Sequence, residues 1–238
     1  MRLKEKEKEA KKEKTRPNGT SYQKLRFRTF LEYLVNIILI INNIFYVNVV
    51  LKIRNLCYYI YMNFEEKTLD SKVVYEGKVV TVLRDDVEVA DGHKSFREVV
   101  LHSGGVVIVA LKNEDTILLV KQYRYPLKRV NLELPAGKLE IGEDPDEACK
   151  RELEEETGYR AKSWKSLGFI NTTPGICTEK LYLYLAKDLE FVGEHPDEGE
   201  ILKTFEYKLN DIFSMINNGE INDAKTICAL TRAFCKGF

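Results

Sequence analysis

Residues Gly137–Tyr159 read GKLEIGEDPDEACKRELEEETGY, and four of the carboxylates fall within the five positions 152–156. The start of a helix is legible in the middle of this stretch. Asp144 suits the N-cap, Pro145 the first helical position and Glu147 the third, completing a capping-box arrangement. Gly158 is placed to stop the helix in a left-handed conformation. Ala148, Cys149 and Leu153 give the helix a short apolar stripe to bury. At ~100° per residue, Glu155 and Glu156 lie about −60° and +40° from Glu152, so these three share one arc, while Glu154 points to the far side. Like charges this close repel on a helix. A solvated acidic face tolerates them; so does a site for a hard divalent cation, which prefers carboxylate oxygens. Arg151 is able to pair with a neighbouring carboxylate and hold it in place.

Working outward, Gly137 stands five residues before Glu143, and seven more separate Glu143 from Arg151-Glu152-Leu153-x-Glu155-Glu156-x-Gly158-Tyr159. This spacing matches the Nudix box, G-x5-E-x7-R-E-U-x-E-E-x-G-U, at all nine defined positions, and so resembles the Nudix hydrolases. The resemblance decides between the two readings of the acidic face. It implies an α+β chain with the Nudix fold, an α/β/α sandwich around a mixed β-sheet, preceded by an N-terminal antiparallel sheet. It also implies Glu152, Glu155, Glu156 and the carbonyl of Ala136 as metal ligands, with Mg²⁺ as the cofactor and Mn²⁺ as an alternative, and Arg151 in a catalytic supporting role.

Stretches outside the box narrow the resemblance to the ADP-ribose pyrophosphatases within the family. Pro174 in TTPGICTEKLYLYLA stands fifteen residues past Tyr159, and its Pro-Gly-x-x-x-Glu pattern runs to Glu179. REVVLHSGGVVIVAL, LLVKQYRYPL, LELPAGKLE and INDAKTICAL are similar to that group as well. On this basis Arg124 is expected to contact a substrate diphosphate, with Arg97, Glu133 and Pro174 as further substrate-binding candidates. A general base is expected from the acidic loop GEHPDEGE (193–200), with Glu200 first and Glu198 second; His195 reads as a loop residue. The implied activity is hydrolysis of ADP-ribose to AMP and ribose 5-phosphate. A broader nucleoside-diphosphate-sugar pyrophosphatase, or a non-catalytic sensor of ADP-ribose, remains open. A homodimer is implied too, formed through the N-terminal sheet around residues 66–100, where Tyr75 and Phe96 are the candidate aromatic platform for adenine. Trp164 reads as packing.

Three parts are expected: an extension over 1–61, an N-terminal β-subdomain over 62–105, and a hydrolase domain over 106–238 with the box at 137–159. Formal charge sums to zero, but unevenly: residues 1–61 hold 13 Lys or Arg against 5 Asp or Glu, leaving 24 basic and 32 acidic residues for 62–238. The acidic part offers no basic patch for nucleic acid. Five cysteines without CxxC spacing fit reduced thiols in the cytoplasm, with Cys149 and Cys228 as core residues. Tyr33–Leu51 is free of charge over 19 residues, long enough for a membrane anchor but interrupted by four asparagines. An anchor, a packing segment, and a natural start at Met62 are all open readings of 1–61.

Between these landmarks the chain alternates short β runs with turn signals. Asp91-Gly92 marks a hairpin, and LNDIFSMINNG and DAKTICALTRAF carry helical periodicity near the C-terminus.

Overall fold

The computed structural model describes residues 64–193 and 201–235. The segment Tyr33–Leu51, the start at Met62 and the loop acids Glu198 and Glu200, with His195, lie outside the described residues. Among the described residues no helix is long and apolar enough to cross a membrane.

The N-terminal sheet is an antiparallel meander: β1 (Lys67–Glu76), β2 (Thr81–Glu88) and β3 (Lys94–Leu101), in that order. The Asp-Gly signal turns β2 into β3 as expected. Gly92 takes φ +90°, and Asp91 accepts the His93 amide at 3.0 Å. The run REVVLHSGGVVIVAL holds parts of two strands. His102, Ser103 and Gly104 break it, with Gly104 at φ +89°, and β4 (Gly105–Ala110) begins afresh in another sheet.

All six residues of β4 are buried. β4 pairs in parallel with β9 (Lys180–Phe191) and antiparallel with the short β7 (Ala136–Lys138), and β8 (Tyr159–Asn171) completes this four-stranded mixed sheet. A second sheet joins β10 (Leu202–Lys208), β5 (Thr116–Arg124) and β6 (Arg129–Glu133).

Burial of β4 on both faces follows from its alternation, since successive side chains of a strand point to opposite sides. Val106, Ile108 and Ala110 join Ala148, Cys149 and Leu153 of α1 (Pro145–Thr157) in one core. Val107 and Val109 join Ile212 of α2 (Leu209–Asn217) and Ala229 and Leu230 of α3 (Ala224–Phe234) in another. Helices thus cover both faces, giving the layered mixed α+β architecture expected from the sequence. Trp164 packs against the α1 side, edge-on to Tyr184 at 6.3 Å between ring centres.

α1 starts and stops where its signals lie. Asp144 accepts the Asp146 amide at 2.8 Å, and Gly158 ends the helix at φ +71° with its amide on the Glu154 carbonyl. The capping box is only half formed. The Glu147 carboxylate pairs instead with Lys150, which lies three residues on and offers a full charge where a return to the N-cap offers one amide.

Candidate active site

β7 is only three residues long, yet it places the glycine that organises the site. A Cβ on Gly105 of β4 would sit 2.4 Å from the Gly137 carbonyl oxygen, so the two strands approach through glycine backbone. A Cβ on Gly137 would fall 1.8–2.0 Å from the carboxyl atoms of Glu152. The Glu152 carboxylate therefore lies directly on a backbone surface that any other residue would cover.

The last two turns of α1 carry the acids. Arg151 serves as their shared counter-ion: its Nε and Nη2 donate to the two oxygens of Glu143 (2.9 and 3.0 Å), while Nη1 donates to Glu152 (2.9 Å) and Glu155 (2.8 Å). These bonds to carboxylates raise the Arg151 pKa further, and the same contact lowers that of Glu143. Glu156 is 5% exposed and accepts the Ala136 amide at 2.9 Å. The three glutamates thus share a helix end, but their carboxylates are held apart by two different donors. Among the described residues no three His, Cys, Asp or Glu side chains converge as a preformed metal cage.

These groups line an open cleft of about 1150 Å³, to which Gly137, Arg151, Glu152 and Glu156 contribute alongside Arg124 and Lys225. Arg124, at the end of β5, is held by Glu133 of β6 through a two-pronged pair, Nε to Oε1 at 2.9 Å and Nη2 to Oε2 at 2.7 Å. Glu133 is fully buried. Burial alone would push its carboxyl pKa up, but Arg124 and Lys225 outweigh that and hold it at about 2. Lys225, from the first turn of α3, donates to the same Oε2.

The other sequence candidates sit elsewhere. Arg97 on β3 lies outside the cleft lining and pairs with Glu66. Pro174 begins a turn closed by Thr173, which accepts the amides of Ile176 and Cys177 (3.1 and 2.9 Å); this turn then bonds to Val100 of β3. Pro174 is not in the cleft lining, although Thr172 and Glu179 on either side of the turn are. Sequence reasoning missed Lys225 as an individual residue, though INDAKTICAL around it was singled out as a stretch. A lysine in the first turn of a helix, where the dipole disfavours a cation, is the signal that pointed to it.

A mixed sheet between helices, with an Arg-bridged acidic helix end beside a glycine cradle, is the frame of a Nudix domain. Residues 101–230 match the NUDIX domain and residues 66–100 the nucleoside diphosphate sugar hydrolase N-terminal domain. The chain belongs to the Nudix hydrolase family. Among its relatives is the ADP-ribose pyrophosphatase of Bacillus subtilis (strain 168), 41% identical over 170 residues, which span 71% of this chain and 92% of that protein. The methanol dehydrogenase activator of Bacillus methanolicus is 42% identical over 70% of this chain and 91% of its own length. In fold, the chain is similar to a solved ADP compounds hydrolase, with a TM-score of 0.65 at 24% identity, covering 72% of this chain and 94% of that one.

Proposed function

We propose that this protein hydrolyses the diphosphate bond of ADP-ribose to give AMP and ribose 5-phosphate. One observation carries the reading: carboxylates of the box and the paired cations Arg124 and Lys225 line a single cleft large enough for a nucleotide sugar. A cleft with both signs of charge suits an anionic diphosphate that would bind together with a divalent cation.

Glu152, Glu155, Glu156 and the Ala136 carbonyl would hold that cation, with Mg²⁺ preferred and Mn²⁺ as an alternative. The donors fit, being hard oxygens, and the bare backbone at Gly137 leaves Glu152 room that a Cβ would take. When bound, such a cation neutralises the diphosphate and lowers the pKa of an attacking water. Arg151 holds Glu152 and Glu155 at fixed spacing through its Nη1. Arg124 binds the diphosphate, and Glu133 acts through Arg124, both of its oxygens being occupied beneath the cleft. Glu200, or second Glu198, is the acid that takes the proton from water. Pro174 shapes the wall through the turn between Thr172 and Glu179. Arg97, on the N-terminal sheet, is read as a substrate contact made across a homodimer. The substrate is thus a small molecule and not a nucleic acid, and the unpaired thiols of Cys149, Cys177, Cys228 and Cys235 suit the cytoplasm.

A broader preference among nucleoside diphosphate sugars is favoured by the match of residues 66–100 to an N-terminal domain of that description. Side-by-side turnover of ADP-ribose, ADP-glucose and GDP-mannose, with Glu156→Gln as the control, tests both readings. ADP-ribose is expected to have the highest kcat/KM; a preference of ~10-fold, or ~1.4 kcal/mol, for another sugar nucleotide would replace it by the broader reading. Glu156→Gln should lose ~100-fold or more in kcat, since the charge stabilisation at stake amounts to several kcal/mol. Wild-type rates in that variant would remove the carboxylates from the mechanism.

A further inference from the structure

α3 begins with a cation in the wrong place. Lys225 is its second residue, where the positive end of the helix dipole works against an ammonium group. Its side chain is only 14% exposed, and lysines are seldom so buried without partners. Both costs are offset by the same pair of acids. Lys225 Nζ donates to Glu133 Oε2, the oxygen that also takes Arg124 Nη2, and to Asp223 Oδ1 at 3.0 Å.

The position is fixed from two sides. Asp223 caps α3 by accepting the Thr226 amide and hydroxyl at 3.0 and 2.6 Å. Thr226 in turn accepts the amide of Leu134, the residue next to Glu133, at 2.9 Å. Helix and strand are therefore joined immediately beside the charge cluster.

Glu133 is sealed from water, so its charge is divided among its protein partners alone. With Arg124 as sole partner it would neutralise the guanidinium, leaving little attraction for an incoming anion. Lys225 takes part of that charge. Arg124 Nη1 has no acceptor among the described residues, and both Arg124 and Lys225 line the cleft.

We propose that Lys225 is a positioning residue for the reaction: by sharing Glu133, it fixes the place and the effective charge of Arg124 against the substrate diphosphate. This rests on the assignment of Arg124 to the diphosphate. The C-terminal helix is then part of the binding machinery, five strands and two helices away in sequence from the arginine that it governs.

The test is a double-mutant cycle on the full chain, with steady-state hydrolysis of ADP-ribose and thermal unfolding measured for each variant. Lys225→Met is expected to raise KM by roughly tenfold, as loss of a charged hydrogen bond would, with kcat within about twofold. Lys225→Arg should restore most of the affinity. In an Arg124→Ala background, Lys225→Met should add less than about twofold, because the group it acts through is gone. Should Lys225→Met not fold, Lys225→Gln keeps a donor for Glu133 but takes no charge share from it, and its KM should rise in the same direction; an unchanged KM there would equally overturn the proposal. Additive effects in the cycle, or an unchanged KM in Lys225→Met, would overturn the proposal. An unchanged KM in Arg124→Ala would instead strike the assignment beneath it, and the proposal with it.

Discussion

At the scale of single residues, Gly137 and Glu133 separate what activity needs from what stability needs. A methyl on Gly137 would collide with the Glu152 carboxyl at 1.8–2.0 Å. That group is the tip of a flexible side chain, so it can swing aside at small energetic cost. Gly137→Ala is therefore expected to leave the urea midpoint nearly unchanged while lowering kcat/KM by ~100-fold, in line with displacing an electrostatic group at a reacting centre. Equal losses of stability and activity would show that the glycine serves the strand pairing instead. Glu133, which anchors Arg124, bears on stability as well. Its folded-state pKa of about 2 lies below the ordinary 4.5, so its contribution to stability is complete above pH 4.5 and is lost as pH falls toward 2. The amount at stake is on the order of 3 kcal/mol. Urea unfolding at pH 5 and pH 3 should show a steep fall for the wild type and a flatter one for Glu133→Gln. Parallel slopes would mean that other carboxylates carry the acid sensitivity. The box made the acids and Gly137 legible, because their spacing lies within one helix and the loop before it. The contact between Gly137 and Glu152 and the role of Lys225 were hidden, since each joins residues brought together only by the fold.

At the scale of the element, the two sides of α1 show how two similar glycines differ, Gly142 before its N-cap and Gly158 at its C-cap. Gly158 and Gly142 both have positive φ, +71° and +80°. Around Gly142 a Cβ would meet nothing within 4 Å, so Gly142→Ala should cost only about 1 kcal/mol of backbone strain. At Gly158 a Cβ would stand 2.8 Å from Phe191 Cε2 and 2.9 Å from the Gly193 backbone. Backbone cannot yield as a side-chain tip does. Gly158→Ala should therefore cost the ~1–2 kcal/mol of the left-handed conformation and more for the displaced chain, roughly 2–4 kcal/mol in all. Equal losses at the two sites, by urea unfolding, would show that the close approach contributes nothing. The helix boundaries were readable because cap, proline and terminal glycine act locally. The failure at Glu147 is equally local in origin, since Lys150 on the next turn competes for its carboxylate.

At the scale of the whole molecule, the layers were legible and the sheet order was not. Apolar runs such as Gly105–Ala110 announce strands covered on both faces, but nothing in them names β9 as the parallel neighbour of β4. The N-terminal sheet raises the remaining question. Every residue of β1 is exposed, with Leu69 at 42%, Val73 at 60% and Tyr75 at 58%, and Phe96 on β3 stands at 51%. Valine and tyrosine are strand formers that gain their stabilisation by burial against neighbours, and among the described residues β1 pairs with β2 alone, with no strand on its other edge. An open apolar edge strand is a template for another chain. A second copy of the same sheet is the simplest complement, because a two-fold interface needs one self-complementary patch. Sedimentation equilibrium of the full chain is expected to give twice the monomer mass. Val73→Lys/Tyr75→Lys, which places charges in the C-terminal half of β1, should shift that equilibrium to monomer by at least ~100-fold in Kd, or ~3 kcal/mol, about the value of burying two such side chains. If Arg97 acts across the dimer, the same variant should raise KM for ADP-ribose although its own cleft is untouched. A monomeric wild type would remove both expectations and leave Arg97 without a role in the site.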